Sequence, residues 1–267
     1  MEMEKKLSEI LAIKDLQCNP LYYKGKDTRK RVITDETDTI YGVVGRTYKP
    51  VTYSQVYGQV TEWLPNVVLK GIATGGFHKY SKVAISFELP KTYKVDGQEI
   101  LTYINVINSL DGSTPIGLMV SPVRMICMNQ FNLAKRKSFI RISHKHTSTG
   151  IISFNKDVQL VEKIYNALEG QISIAEKLVK MDITTDKGVK FLENLLNKNI
   201  ISKKVEEKAT NLWVYPIRNE DKPRNLWSLF NAITDPMNRT LESKNKISTF
   251  NQLHEIGSVF TKELVTI

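Results

Sequence analysis

Apolar and polar side chains alternate along "KVAISFEL", residues 82 to 89. Val83, Ile85, Phe87 and Leu89 fall on one side, and Lys82, Ala84, Ser86 and Glu88 on the other. A period of two is the signature of a half-buried β-strand. "VDGQ" follows closely, and an Asp-Gly pair between such runs predicts a tight hairpin into "EILTYINVINS". A second Asp-Gly, Asp111-Gly112, reverses the chain into "PIGLMVSPVRMICMNQF", and "SFIRISHKH" reads as one more short strand. From Val67 to Ser143 the pattern therefore predicts an antiparallel β-meander, with one face left to carry function.

The segments on either side carry a different period. In "EKKLSEILAIK", Leu7, Ile10, Leu11 and Ile13 lie along one side of a predicted helix. "GKDTRKRVITDETDT", at 25 to 39, is polar and punctuated, and is expected to form an irregular, mobile arm. "YGVVGRTYKPV" predicts a short strand that ends before Pro50. "TYSQVYGQVTEWL" predicts a helix, because Thr52 followed three residues later by Gln55 is a capping-box pattern. From about residue 154 the period is helical. Val161, Ile164, Leu168, Ile172, Ala175 and Val179 form one stripe, continued by "DKGVKFLENLLNK", "RNLWSLFNAIT" and "STFNQLHEIGSVFTKEL". The expected fold class is α+β: an antiparallel β-meander sheet with packed helices, followed by a helical C-terminal region. The expected division places the N-terminal helix, the basic arm and the sheet in 1–153, and the helical region in 154–267.

Composition narrows the class. With 267 residues, 41% hydrophobic and 25% charged, the chain is expected to fold around a sizeable core. It has no apolar run long enough to span a bilayer, and "MEMEKKLSEILAIKD" lacks the apolar stretch of a secretory signal. Two cysteines, Cys18 and Cys127, suit a reducing, cytoplasmic setting rather than a disulfide scaffold.

Charge changes the picture more. The formal net charge is +10, and residues 63–156 account for +8 of it, with twelve Lys/Arg against four Asp/Glu. Between Asp111 and Asp157 there are seven cations and no acid. Charge scattered over a solvated surface would not segregate in this way, whereas a face that binds polyanions would. Cations and aromatics also interleave there, in Phe77, Lys79, Tyr80 and Lys82, then Arg124, Phe131, Lys135–Lys137, Phe139, Arg141 and Lys145. Such cations neutralise phosphates, and exposed rings can stack on unpaired bases. Arg124, on the side of Val120 and Met128, is read either as a groove residue or as a buried arginine paired with a carboxylate.

Catalytic signatures are scarce. No G-x-x-x-x-G-K-[ST] motif occurs. "GIATGGFHK", at 71 to 79, is the nearest phosphate candidate, but it reads first as a bulge or turn between strands; its glycines would otherwise let a nucleic-acid backbone come close to His78, Lys79 and Lys82. His144 and His146 share a side with Ile140 and Ile142, so they are expected to cap an apolar face while Arg141 and Lys145 point outward. No metal, cofactor or catalytic residue is expected.

The order "NSLDGS", "SPVRMICMNQFNLA", "SHKHT" and, much later, "NLWSLFNAIT" resembles a family of phage- and plasmid-related proteins called domain of unknown function 932. More distantly, that family is similar to phage single-strand annealing proteins related to Erf and to the Rad-type annealers. The resemblance implies that Asp111, Gly112 and Ser113 form a turn. It places Arg124, Cys127 and Asn129 along the next strand, and Trp227, Asn231 and Thr234 on one helical face, where packing is their first reading. It implies a ring- or filament-forming homo-oligomer with a basic groove for single-stranded DNA. A single-strand-binding protein or an exonuclease of the same phage would be a further partner, in the cytoplasm of a bacterial host. The expected groove cations are Lys79, Lys82, Arg124, Lys135, Arg136, Lys137, Arg141 and Lys145. The expected function is DNA-binding and ATP-independent annealing in recombination. Two alternatives stand beside it: an interaction protein acting on a host or phage protein, and a metal-dependent nuclease or nucleic-acid-modifying enzyme using His144, His146 and Asp111.

Overall fold

A computed structural model describes residues 2–124, 129–130, 141–155, 159–241, 253 and 255–262. Helix α1 (Glu2–Leu11) buries Ile10 completely, as its stripe predicts. The next three elements, β1 (Gln17–Tyr23), β2 (Lys26–Thr34) and β3 (Ile40–Gly45), form a three-stranded antiparallel sheet in the order β1-β2-β3. The expectation of an irregular arm at 25 to 39 is thereby corrected. Lys26–Thr34 is a strand despite its polarity, because cross-strand backbone pairing with β1 and β3 satisfies its amides and carbonyls. Its apolar residues come last, and Ile33 is wholly buried.

Helix α2 (Tyr53–Trp63) starts as predicted. Thr52 Oγ1 accepts from the Gln55 amide at 3.2 Å, and Gln55 Oε1 accepts from the Thr52 amide at 2.9 Å. The second sheet contains β4 (Val68–Gly75), β5 (Lys82–Glu88), β6 (Tyr93–Val95), β7 (Gln98–Ser109), β8 (Ile116–Arg124), β9 (Asn129–Gln130) and β10 (Arg141–His144). The strand order is β10-β8-β7-β5-β4, with β6 beside β7 and β9 beside β8. Val83, Ile85, Phe87 and Leu89 are all buried, and the residues between them are half-buried, as the alternation requires.

The Asp-Gly hairpin forms, with Asp96 and Gly97 both at positive φ (51° and 71°) and Val95 opposite Gln98. Its first strand is not the whole of "KVAISFEL", however. That strand stops at Glu88, opposite Tyr103, and β6 resumes at Tyr93, opposite Ile100. Four residues on one side thus face two on the other. Pro90 stands in this gap, and proline has no amide to give a ladder.

Helices follow: α3 (Ser148–Asn155), α4 (Leu160–Val179), α5 (Thr185–Asn197), α6 (Lys203–Val214) and α7 (Leu226–Leu241). The fold is α+β, with antiparallel sheets first and helices gathered in the C-terminal half. The side chains of Thr184 and Ser202 cap α5 and α6.

The chain divides into two compact units. The first is built from 1–90, 103–120 and 140–164, and the second from 91–102, 121–139 and 165–267. The second unit has its own core, in which Ile172, Leu178, Leu192, Leu195, Trp213, Trp227, Phe230 and Ile233 are buried together. Trp227, Asn231 and Thr234 are packed, as their spacing suggests. Asn231 Nδ2 donates to the Trp227 carbonyl at 2.8 Å, and Thr234 Oγ1 to that of Phe230 at 3.0 Å.

Candidate nucleic-acid interface

The first unit is organised around the turn that joins β7 to β8. Ser109 is buried, and its Oγ donates to the Thr114 carbonyl (2.7 Å) while accepting from the Thr114 amide (3.1 Å), which closes a short loop. Inside the loop, Asp111 Oδ1 accepts from the Ser113 amide at 2.9 Å, and Gly112 takes a φ of +72°. The implied Asp-Gly-Ser turn is therefore present.

Other segments hold this turn in place. The Leu110 amide donates to the Ser81 carbonyl (2.6 Å), Asn108 Nδ2 to the Val51 carbonyl (2.9 Å) and the Tyr48 hydroxyl to the Ser109 carbonyl (2.5 Å). Burial, and then the Asp111 charge, push the Tyr48 phenol well above its ordinary pKa, so it remains a donor. Gly42 of β3 lies so close that a Cβ there would sit 2.5 Å from Asp111 Cα.

The glycine-rich segment 71 to 76 resolves into its structural reading. Gly71 sits at a register shift in β4, and Gly76 has φ +97° in the turn before β5. A Cβ on Gly76 would meet Asp111 Oδ2 at 2.7 Å and Ser81 Cβ at 2.9 Å. On its Cβ side, the space this glycine leaves open is filled by Asp111 and Ser81 of the protein itself, whereas nothing lies within 4 Å of a Cβ built on Gly75. Phe77, beside it, is 75% exposed.

The predicted cations separate. Lys79, Lys82, Arg141 and Lys145 belong to the first unit, and Arg124 to the second. Lys79 is exposed, but it is met by Glu9 of α1 at 3.5 Å and lies 4.5 Å from the Tyr80 ring centroid. Lys82 is half-buried at the start of β5, opposite Gly75 and Ser109. Arg141 pairs with Met119 and Arg124 with Asn129 through their backbones, and the side chains of both arginines lie outside the described residues. Lys135, Arg136 and Lys137 lie outside them as well. Lys145 is exposed just beyond β10.

His144 is half-buried and His146 is buried. His144 meets the Phe154 ring edge-on, with centroids 5.5 Å apart. His146 is buried and stacks on Tyr48 at 4.6 Å, with Nδ1 3.3 Å from the Lys49 carbonyl. Burial lowers the His146 pKa, against the carbonyls of Lys49 and Thr114, which favour the proton. Among the described residues, no three His, Cys, Asp or Glu side chains group as a metal site, and no helix is long and apolar enough to cross a membrane.

The charge count of 1–62 nets only +1 and so conceals one feature. Five of its ten cations, Lys24, Lys26, Arg29, Lys30 and Arg31, fall within 17–34, together with a single acid, Asp27. Counted alone, this segment would have stood out, and the Lys24-Gly25 pair between its two strands was the available turn signal.

The family model described as Domain of unknown function (DUF932) matches residues 40–255. No curated protein and no solved structure matches the chain.

Proposed function

We propose, from the premise that the chain belongs to the DUF932 family, that it binds single-stranded DNA and promotes annealing of complementary strands without ATP. The observation that carries this reading is the segregated charge: seven cations and no acid between Asp111 and Asp157, inside the family-matched region. Asp111, the acid that borders this stretch, is engaged by the Ser113 amide in its turn. Among the described residues, no carboxylate lies within ion-pairing distance of Lys82 or Lys145. Phe77, 75% exposed beside His78 and Lys79, offers a ring for stacking.

In this mechanism a homo-oligomer, as a ring or filament, holds one strand by its phosphates and leaves the bases free. Lys79, Lys82, Arg124, Lys135, Arg136, Lys137, Arg141 and Lys145 are the cations assigned to that contact. Pairing with the complementary strand then supplies the driving energy, so no nucleotide need be hydrolysed. A phage recombination system in a bacterial cytoplasm is the setting this implies, with a single-strand-binding protein or an exonuclease as neighbour.

The test is fluorescence anisotropy with labelled single-stranded and duplex oligonucleotides over a salt series. Tight single-strand binding is expected, weakening with a log–log slope of about −0.7 per phosphate neutralised. Absence of binding to either form at low salt would overturn the proposal and favour a protein partner.

A further inference from the structure

The β1–β2 hairpin extends beyond its sheet. Strand β3 pairs only with Lys30–Thr34 of β2, so Tyr22–Arg29 projects as a two-stranded ribbon without a third strand. Lys24 and Gly25, at φ +47° and +76°, make the two-residue loop, the primed geometry that suits strand twist. The register shifts between Leu21 and Tyr22, where Thr28 and Arg29 face no residue of β1 and Arg29 takes φ +58°. Hydrogen bonds pin this bulge: Thr28 Oγ1 donates to the Leu21 carbonyl (2.6 Å), and Asp27 Oδ1 accepts from the Arg29 amide (2.8 Å). A pinned bulge re-aims the side chains beyond it, here those of the ribbon tip.

The tip is unusual chemically. Tyr22 and Tyr23 are 61% and 67% exposed, and as neighbours in a strand they present rings on opposite faces. Tyr23 stands opposite Lys26 and Tyr22 opposite Asp27, with the Lys24 ammonium 5.4 Å from the Tyr23 ring centroid. Asp27, the one acid of the hairpin, is engaged by the Arg29 amide and by Arg31 at 3.7 Å. Exposed rings flanked by cations on an unsupported ribbon add little to a core. They do match a ligand with both phosphates and unpaired planar bases. An acidic protein would satisfy the cations but gives no reason for paired, outward rings, and a closed duplex offers no base faces to them.

We infer that the β1–β2 ribbon is a second single-strand contact, in which Tyr22 and Tyr23 stack on unpaired bases while Lys24, Lys26, Arg29 and Lys30 meet the adjoining phosphates. This rests on the single-strand reading above but assigns it a different element, one that lies before the family-matched residues. The site suits DNA or RNA single strands through the same chemistry.

The experiment uses the full chain and two probes of equal phosphate number, labelled oligo-dT and a fully abasic oligonucleotide. The double variant Tyr22→Ala/Tyr23→Ala is expected to bind oligo-dT about tenfold or more weakly, with little change on the abasic probe. Tyr22→Phe/Tyr23→Phe is expected to behave as wild type. Lys24→Glu/Lys26→Glu is expected to weaken both probes and flatten the salt dependence. If the alanine variant binds oligo-dT as wild type does, or loses equally on both probes, the ribbon inference is overturned while the single-strand reading stands. If wild-type protein binds neither probe, both are overturned, and the cations are left to an acidic protein partner.

Discussion

Gly42→Ala and Gly58→Ala add the same methyl group at two sites, and the structure assigns them opposite signs. At Gly42 the new Cβ would lie 2.5 Å from Asp111 Cα and 2.7 Å from Asp111 Cβ, where carbon atoms normally rest about 3.5–4.0 Å apart. Two of the atoms met are backbone, so no rotamer change relieves the clash. Movement of Gly42 would strain its pairing with Ile33. Movement of Asp111 would strain the Leu110–Ser81 and Asn108–Val51 hydrogen bonds. Overpacking of this kind costs about 1–3 kcal/mol, and each strained bond adds about 1 kcal/mol, so a loss of about 3 kcal/mol is expected. At Gly58, exposed on α2, nothing lies within 4 Å, and exchanging glycine for alanine inside a helix gains about 1 kcal/mol. Urea unfolding followed by circular dichroism measures both, and hydrogen exchange at the Leu110 amide reports the turn locally. A Gly42→Ala protein as stable as wild type, with unchanged protection at Leu110, would refute the claim that this close approach organises the first unit.

Further outcomes follow from other contacts. Asp35 accepts from the Thr37 amide, the Thr37 hydroxyl, the Thr39 amide and the Tyr41 hydroxyl at 2.7–3.1 Å. Burial opposes its charge, but these donors outweigh burial and hold its pKa below the ordinary aspartate value. The stabilisation is therefore complete above the unfolded pKa of about 3.9 and is lost as pH falls through the lower folded value. Asp35→Ala should cost about 2–3 kcal/mol at pH 7 in urea melts, and the gap from wild type should narrow below about pH 4. Gly188→Ala would drive a methyl group into the Trp213 indole, whose Nε1 donates to the Thr185 carbonyl at 3.0 Å. A loss of about 1–3 kcal/mol is expected, with a shift in tryptophan fluorescence. Lys145→Ala should weaken single-strand binding modestly and lower the salt slope by about 0.7, whereas an unchanged slope would remove Lys145 from the contact.

How much of this was readable in advance depends on the range of the forces involved. The faces of β5, the Thr52–Gln55 capping box, the stripe of α4 and both Asp-Gly turns were predicted correctly, and each is set by residues within a few positions of one another. The polar strand β2 was missed because its own composition argues for a loop; only the partners β1 and β3 make it a strand. α6 was missed because charge interrupts its apolar positions: Ala209 and Trp213 meet the core while Glu206 is held by Lys203 and Thr210.

For the candidate interface the division is similar. Sequence alone determined where the positive charge is concentrated, because charge is a property of composition and needs no fold. It could not show that Glu9 meets Lys79 across seventy positions, or that Asp111 fills the space on the Cβ side of Gly76. Nor could it show that β2 outruns β3 and carries Tyr22 and Tyr23 out on a ribbon. Those facts depend on close approach between residues distant in the chain, and on where one strand stops pairing with the next. Local periodicity is blind to both, so only the tertiary structure decided them.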